Sequence, residues 1–435
     1  MDNLRFYMVT YNVATKQPEQ DLHKLVGFED LKSSETLPDF YVVGLQEVKS
    51  QPQNMVLDSI FDDPWTNAFR EVLAKMDYVK VKTVRLQGTV LNLFCLRKHL
   101  IYLRDIETQY TRTGFRGLWG NKGAVTVRLS IYGCSICVVN CHLTPHDHLL
   151  QQRIADYDTI VRAQSFRAKE TSSIFFHDYV FWIGDMNFRL LEGPSATEID
   201  ELVGRGELTR LLAKDQLRYV MAMGEAFGEL EEPLPTFPPT YKFEFHTSLY
   251  DLRRRPSWTD RMLYKVNANV YENITLKVEQ LLYRSIDSYT QSDHKPVVGE
   301  YIVKVFSDYY ERVVEFQPID TWIIDEENSV SYTLATDVRP TTWDWIGIFK
   351  EGFAGLEEYL CYVYVMRGLQ GADAAGLSRT VVFPLTAVRA PGSYCLLYFS
   401  DHSASVLGMS RPFVATLPPG TAPSPLGTAY TDSFQ

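Results

Sequence analysis

The chain of 435 residues contains no apolar run long enough to cross a bilayer as a helix, and no apolar leader ending in small residues opens it. Cysteine is scarce, with six in all: Cys95, Cys134, Cys137, Cys141, Cys361 and Cys395. Cys134 and Cys137 have the C-x-x-C spacing, but no second pair stands at zinc-ligand spacing, so buried, reduced thiols are expected. Reduced thiols suit a cytosolic setting. Surplus positive charge is missing too. Lys and Arg number 43 against 54 Asp and Glu, a formal net charge of −11, which argues against a general nucleic-acid binder. The chain has no internal repeat, and this removes the solenoid and propeller classes.

What is present is ordinary for a globular protein, 45% hydrophobic and 22% charged, in a chain long enough for two or three domains. Residues 1–305 alternate between strand-like and helical stretches. "RFYMVTYNV", "DFYVVGLQEV", "VLNLFCLRK", "AVTVRLSIYG", "SICVVNCHL" and "YVFWIG" are β-branched or aromatic and end at glycine or polar residues. "PWTNAFREVLAKM" and "LLQQRIADYDTIVRAQSF" repeat apolar residues at helical spacing. Residues 196–227 predict two helices broken near Gly204–Gly206. "RMLYKVNANV" and "KPVVGEYIVKV" close the region as strands. The expected fold class is an α/β two-sheet sandwich flanked by helices. From 306 to 417 short strands follow closely with almost no helical pattern, an all-β sandwich of immunoglobulin-like type. Residues 418–435 are rich in Pro, Gly, Ser and Thr and read as a disordered tail.

Several strands of the first region end in polar side chains. "FWIGDMNFRL", residues 181–190, rises out of an apolar run into Gly184 and then presents Asp185 and Asn187. Residues two apart on an extended chain face the same way, so the two could share one rim. Alone, the pair reads first as an Asx turn capping a strand. "YMVTYNV" supplies Asn12, "VVGLQEV" Gln46 and Glu47, and "CVVNCHLTPHD" Asn140 and His142. "RPSWTDRML" supplies Asp260 beside Arg261, and "QSDHKPV" Asp293 and His294. Singly, Glu47 reads as a turn or helix cap, His142 as a core histidine and Asp260–Arg261 as a structural ion pair. Jointly, carboxylates with amides suit a hard, oxygen-seeking cation such as magnesium. Imidazoles beside carboxylates suit the binding of phosphate oxygens. The set fits metal-assisted hydrolysis of a phosphate ester by water.

These motifs resemble the inositol polyphosphate 5-phosphatases. "FWIGDMNFR" and "RRPSWTDRML" are similar to that family's paired signatures, and "GLWGNKGAV", "CHLTPHD", "FPPTYKF" and "SDHKPV" match further blocks in order. The likeness runs from about residue 5 to 305. In the C-terminal region "WDWIGIFK", "YCLLYFS" and "SRPF" resemble a SKICH domain. The resemblance implies the endonuclease/exonuclease/phosphatase fold and magnesium held by Glu47 with Asn12 close by. It implies that Asp185 orients or deprotonates the attacking water, while Asn187, His142 and His294 hold the scissile 5-phosphate. Asp293 would orient His294, with Asp260 standing behind. Asn121 and Lys122 would approach the phosphate, and Tyr241 and Lys242 would read a 4-phosphate with help from Arg254 or Arg255. Arginines so placed suit bidentate phosphate binding. Phe115, Leu118 and Trp119, in a loop with Arg112, Arg116 and Lys122, would touch lipid acyl chains or glycerol. Departures are few: Ala124 follows Gly123 where a second glycine is usual, and Tyr11 stands where the family often has Trp.

The implied activity is a magnesium-dependent phosphoinositide 5-phosphatase. Its substrates would be phosphatidylinositol 4,5-bisphosphate, phosphatidylinositol 3,4,5-trisphosphate and soluble inositol polyphosphates. Its expected location is cytoplasmic and peripheral to the plasma membrane or an endomembrane, with protein partners through the SKICH domain. Two other readings compete: a magnesium-dependent nuclease of the same fold, opposed by the acidic charge and "PPTYKF", and a non-catalytic phosphoinositide-docking scaffold, opposed by the filled polar positions.

Overall fold

The computed structural model describes residues 2–28, 37–49, 63–114, 121–307, 309, 312–336, 338–367, 369–372 and 378–419. The chain divides into two compact units. One is Met1–Glu311 with Gly352–Glu358 and His402–Val406; the other is Arg312–Glu351 with Tyr359–Asp401 and Leu407–Gln435.

The first unit holds two sheets. β1 (Asp2–Asn12), β2 (Phe40–Gln46), β3 (Tyr78–Leu86), β4 (Thr89–Leu96), β10 (Val278–Ser285) and β11 (Val297–Val305) form one, in the order β10-β11-β1-β2-β4-β3. β5 (Leu103–Arg112), β6 (Gly123–Ile131), β7 (Cys134–His142), β8 (Tyr179–Asp185) and β9 (Asp260–Val266) form the other, in chain order. β8 is buried along its whole length between β7 and β9, as its run of apolar residues on both faces predicts. Phe6 of β1 stacks on Phe40 of β2 at 4.6 Å and on Phe181 of β8 at 6.2 Å, which knits the two sheets. Each such ring, taken out of water, contributes about 1.5–3 kcal/mol.

Helices cover the outer faces. α1 (Pro64–Ala74) starts where Asp63 accepts hydrogen bonds from Trp65 N and Thr66 N, and Pro64 needs no donor there. It buries Trp65, Phe69 and Leu73, at i, i+4, i+8, against the first sheet. α2 (Leu150–Ala163) buries Tyr157 and Ile160 against the second. Residues 196–223 form three helices rather than two: α3 (Ala196–Gly204), α4 (Leu208–Leu212) and α5 (Gln216–Met223). The extra break falls at Asp215, whose carboxylate caps α5 through Arg218 N. β3, β5 and β10 escape the hydrophobic-run reading. All three are edge strands, so their exposed faces carry Lys, Arg, Glu and Gln.

The second unit is all β. β12 (Val314–Phe316), β14 (Asn328–Leu334), β17 (Leu369–Ala372) and β18 (Ser378–Phe383) make one sheet. β13 (Trp322–Ile323), β15 (Trp345–Lys350), β16 (Cys361–Tyr364), β19 (Gly392–Ser400) and β21 (Phe413–Thr416) make the other, with β20 (Ser405–Met409) paired to β19. Ile346, Ile348, Tyr332, Phe383 and Leu396 fill the space between them. Of the large aromatics of "WDWIGIFK", a run whose apolar character suggests core residues, Phe349 is fully buried and Trp345 half-buried. Trp343 departs from that expectation and is 56% exposed. All six cysteines are free thiols and all but Cys361 are buried. No described helix is long and apolar enough to span a membrane. Of the tail, residues 420–435 lie outside the described residues.

Candidate active site

Strand register gathers the polar strand ends. β1 and β2 run parallel with Asn12 opposite Gln46, and β7 and β8 run parallel with His142 opposite Asp185. β9 runs antiparallel to β8, so its first residue, Asp260, sits opposite Asp185. β11 runs antiparallel to β1, with Val297 opposite Thr10, which brings Ser292–His294 to the same end. The two sheets meet there: Asn12 Nδ2 donates to Asp185 Oδ2 at 3.0 Å. Within the second sheet, Gly184 lets β8 pass close against β7 at this end. Its φ is +138°, and a Cβ there would lie 2.1 Å from the Cys141 carbonyl oxygen.

Asp185 is the centre of the constellation. Its Oδ2 lies 3.3 Å from His142 Nε2 and 3.9 Å from His294 Nε2, and its Oδ1 accepts from Asn187 N at 3.1 Å. Lys122 Nζ meets the same ring nitrogen as Asp185, lying 2.6 Å from His142 Nε2. On the far side of His294, Nδ1 is 2.9 Å from Asp260 Oδ2. That oxygen also accepts from Thr240 and Thr259 hydroxyls, at 2.6 and 2.8 Å. Asn187 has φ +56° and is pinned at both ends of its amide: Nδ2 donates to Leu143 O at 3.0 Å and Oδ1 accepts from Arg189 Nη2 at 2.6 Å. One Asn187 amide hydrogen is left for a ligand.

The surroundings push these groups apart in proton affinity. Burial alone would raise the Asp185 carboxyl. The hydrogen bond to His142 and the charges of His294, His142 and Lys122 outweigh it and hold the carboxyl well below its usual range. Burial disfavours the His294 imidazolium, but Asp260 and Asp185 overcome this and raise its pKa to about 10. His142 moves the other way: burial and then the Lys122 ammonium lower it, so it is the neutral imidazole of the pair. Burial lowers Lys122 as well.

Several expected placements change. Asp293 does not orient His294; its carboxylate is 3.3 Å from Lys242 Nζ, and Asp260 is the group bonded to the ring. Asp260 and Arg261 are not an ion pair, because neighbours on a strand point to opposite faces. Arg261, fully buried, pairs instead with Asp215 at 2.9 Å and with Glu232. Arg255 is not free to clamp phosphate, since its guanidinium donates to the carbonyls of Leu190, Leu191 and Pro194. Arg254 is exposed and its side chain has no partner among the described residues. Asn140 turns inward and ties the sheets, donating to Leu45 O and Val90 O and accepting from Gln46 Nε2. Tyr241 does reach the centre, its ring 4.5 Å from the His294 ring. Asn121 is exposed at the mouth, and Phe115, Leu118 and Trp119 lie outside the described residues.

Arg189 is the participant that strand-end reasoning misses. It is buried, holds Asn187 and lies 4.5 Å over the Tyr241 ring. Its signal was its position in "GDMNFR", two residues after Asn187 and so on the same side of an extended chain. Ser292, which donates to Asn12 O at 2.6 Å, was equally unread.

Two donor sets are candidates for a metal ion. Asp185, Asp260 and His294 have ligand-type atoms within 4.8 Å of one another. That triad fits poorly, because a protonated imidazole has no lone pair to give and Asp260 Oδ2 already accepts three bonds. Glu47 fits better. It follows β2 with φ +57°, is partly exposed, and its carboxylate accepts no hydrogen bond among the described residues; its nearest cationic-type neighbour is His142 Nε2 at 3.8 Å. Asn12 Oδ1 accepts only from Ala14 N at 3.0 Å and keeps a lone pair. A partly exposed carboxylate beside an amide oxygen forms the hard donor set that magnesium takes.

Residues 9–300 match the Endonuclease/Exonuclease/phosphatase family 2, and residues 314–415 match the SKICH domain. Mouse inositol polyphosphate 5-phosphatase K is 33% identical over 427 residues, 94% of this chain and 89% of that protein. The chain belongs to the inositol polyphosphate 5-phosphatase family. Human phosphatidylinositol 4,5-bisphosphate 5-phosphatase A is 34% identical over 440 residues, 99% of this chain; the chain spans only 43% of that relative's length. Among solved structures, the 5-phosphatase domain of spSynaptojanin, in complex with inositol (1,4)-bisphosphate and calcium, is 31% identical with a TM-score of 0.59. The match covers 70% of this chain and 86% of that one. A Cimex nitrophorin, solved as its ferrous NO complex, also shares the fold, at 27% identity and a TM-score of 0.56, over 70% of this chain and 99% of its own. For a 5-phosphatase family member, the Asp185-centred cluster is the natural place for chemistry.

Proposed function

We propose that this chain is a magnesium-dependent 5-phosphatase acting on phosphatidylinositol 4,5-bisphosphate and phosphatidylinositol 3,4,5-trisphosphate, and on soluble inositol polyphosphates carrying the same 5-phosphate. The observation that carries this reading is one ionised carboxylate, Asp185, set between a neutral and a charged imidazole at the mouth of the two-sheet frame. Asp185 accepts a hydrogen bond from the attacking water and fixes its direction. Its low proton affinity suits orientation, with transfer of the proton only as the new P–O bond forms. The His294 imidazolium, held by Asp260, faces the phosphoryl oxygens and stabilises charge on them. Asn187 donates its remaining amide hydrogen to the same group, and Lys122 adds a cation beside His142 Nε2. Magnesium, held by Glu47 with Asn12 beside it, would supply charge neutralisation at phosphate oxygens. Tyr241 and Lys242 follow in the chain at the rim and suit recognition of a neighbouring 4-phosphate. The likeness to a relative solved with inositol (1,4)-bisphosphate supports a headgroup of this class.

The test is phosphate release, with magnesium and with EDTA, from both lipids, from inositol 1,4,5-trisphosphate and from inositol 1,4-bisphosphate as a 5-dephospho control. Turnover of the first three only, lost in EDTA, is expected. No turnover by folded protein would leave the docking-scaffold reading.

A further inference from the structure

The segment after Lys242 forms a short finger. Phe243 and Tyr250 bridge antiparallel with their rings stacked at 4.5 Å, and Glu244 N donates to Leu249 O at 2.9 Å to close the tip. The base is rigidly tied beside the catalytic cluster: Phe243 N donates to Asp293 O at 2.9 Å, His246 N to Thr290 O at 2.6 Å, and Asp251 N to Lys242 O at 2.8 Å. The tip carries what a soluble loop avoids. Phe245 is 43% exposed, Leu249 67% and Leu252, just past it, 42%. Cations surround these side chains. Lys16 Nζ lies 4.6 Å over the Phe245 ring, and the exposed Arg253 and Arg254 follow Leu252. The acids nearby are mostly matched: Asp251 binds Arg253 through two hydrogen bonds and Asp293 pairs with Lys242, which leaves Glu244 as the acid of the tip.

We propose that this finger seats on an anionic lipid surface, with Phe245, Leu249 and Leu252 in the headgroup–acyl boundary and the basic side chains against lipid phosphates. Two features select a membrane over a protein partner. Lys16 and Arg254, which have no acidic partner within ion-pair distance among the described residues, flank the apolar side chains in a chain whose net charge is −11, so attraction to an anionic plane is local to this face. The tip is also three residues from Lys242, about 10 Å along an extended strand, within the reach of a headgroup whose tail stays in the bilayer. The idea deepens the phosphatase reading, because a lipid substrate has to be met at its membrane. Apolar side chains on a rigid loop add surface affinity, and cations add roughly 1 kcal/mol each near an anionic membrane.

The test uses the full chain, with phosphatidylcholine vesicles and with vesicles holding a fifth phosphatidylserine, neither containing phosphoinositide. Wild type is expected to sediment with the anionic vesicles, and Phe245→Ser/Leu249→Ser to bind at least tenfold more weakly. Melting temperature and turnover of soluble inositol 1,4,5-trisphosphate are expected to stay unchanged. Equal binding by variant and wild type, or no binding by wild type, overturns the proposal. Loss of vesicle binding in the variant, with no soluble turnover in either protein, supports the membrane finger while overturning the phosphatase reading.

Discussion

Replacing Asp260 by Asn removes the charge behind His294 and keeps its shape. Asp260 Oδ2 lies 2.9 Å from His294 Nδ1 and both side chains are buried, so the charges are little screened. The charges are spread over the ring and the carboxylate, so their centres stand about 4 Å apart, and at an effective dielectric near 20 such a pair is worth about 4 kcal/mol, or about 3 pKa units. Wild-type His294 has burial against it and three carboxylates for it, Asp260, Asp185 and, more weakly, Asp293, with a pKa of about 10. In Asp260→Asn it falls to about 7. In the proposed mechanism the charged form is the active one, so activity is expected below this pKa and lost above it. At about pH 8.5 the variant is roughly 3% protonated and at about pH 6 about 90%, a decline of about 30-fold over a range in which wild type stays flat. The assay is kcat/KM on inositol 1,4,5-trisphosphate from pH 6 to 10, with the His294 ring proton followed by NMR. A variant whose rate is low but equally flat would refute the charge argument. The same proton stabilises the fold. Because the folded pKa lies above the unfolded value of about 6.5, that stability is complete below 6.5 and lost as pH rises through about 10.

Asp185→Asn keeps the hydrogen-bonding shape but not the anion, and kcat is expected to fall at least about a hundredfold, read by single-turnover phosphate release. Glu47→Gln should raise the magnesium concentration for half-maximal rate at least about tenfold, with the rate partly recovered at high magnesium; an unchanged magnesium titration would move the metal site elsewhere. Arg255→Ala removes three donors to main-chain carbonyls and should cost about 2–4 kcal/mol in urea unfolding with KM unchanged, whereas Arg254→Ala should leave stability intact and raise KM for 4-phosphorylated substrates.

The architecture is legible where burial is two-sided. β1, β2, β4, β7 and β8 are central strands, and their apolar runs need no knowledge of neighbours. β3, β5 and β10 are not, because an edge strand is defined by what fails to pair with it, which a single stretch cannot express. The same divide runs through the site. Asp185, His142 and His294 stand at strand ends and declare themselves by breaking an apolar run. Arg189, Thr240, Thr259 and Ser292 act by holding those residues, and their partners come from distant segments. Asp293 illustrates the error that follows. Adjacency in "SDHKP" makes it the obvious support for His294, yet successive side chains diverge, and the support arrives from residue 260 instead.

The frame itself does not decide the chemistry: a Cimex nitrophorin with a ferrous NO ligand is built on it too. What points to hydrolysis is an asymmetry around one carboxylate. Asp185 has an imidazole on either side, at 3.3 and 3.9 Å, and symmetric surroundings would give both the same charge. Their other charged neighbours break the tie. A lysine 2.6 Å from His142 makes a second cation there unfavourable, and an aspartate 2.9 Å from His294 demands one. The result is one neutral ring, one charged ring and an anion between them, which is the arrangement needed to direct a water from one side and receive phosphate charge on the other. Reversing these two charges, by Lys122→Glu with Asp260→Lys, would exchange the two protonation states while leaving every strand where it is, and a phosphatase built on this asymmetry would not survive the exchange.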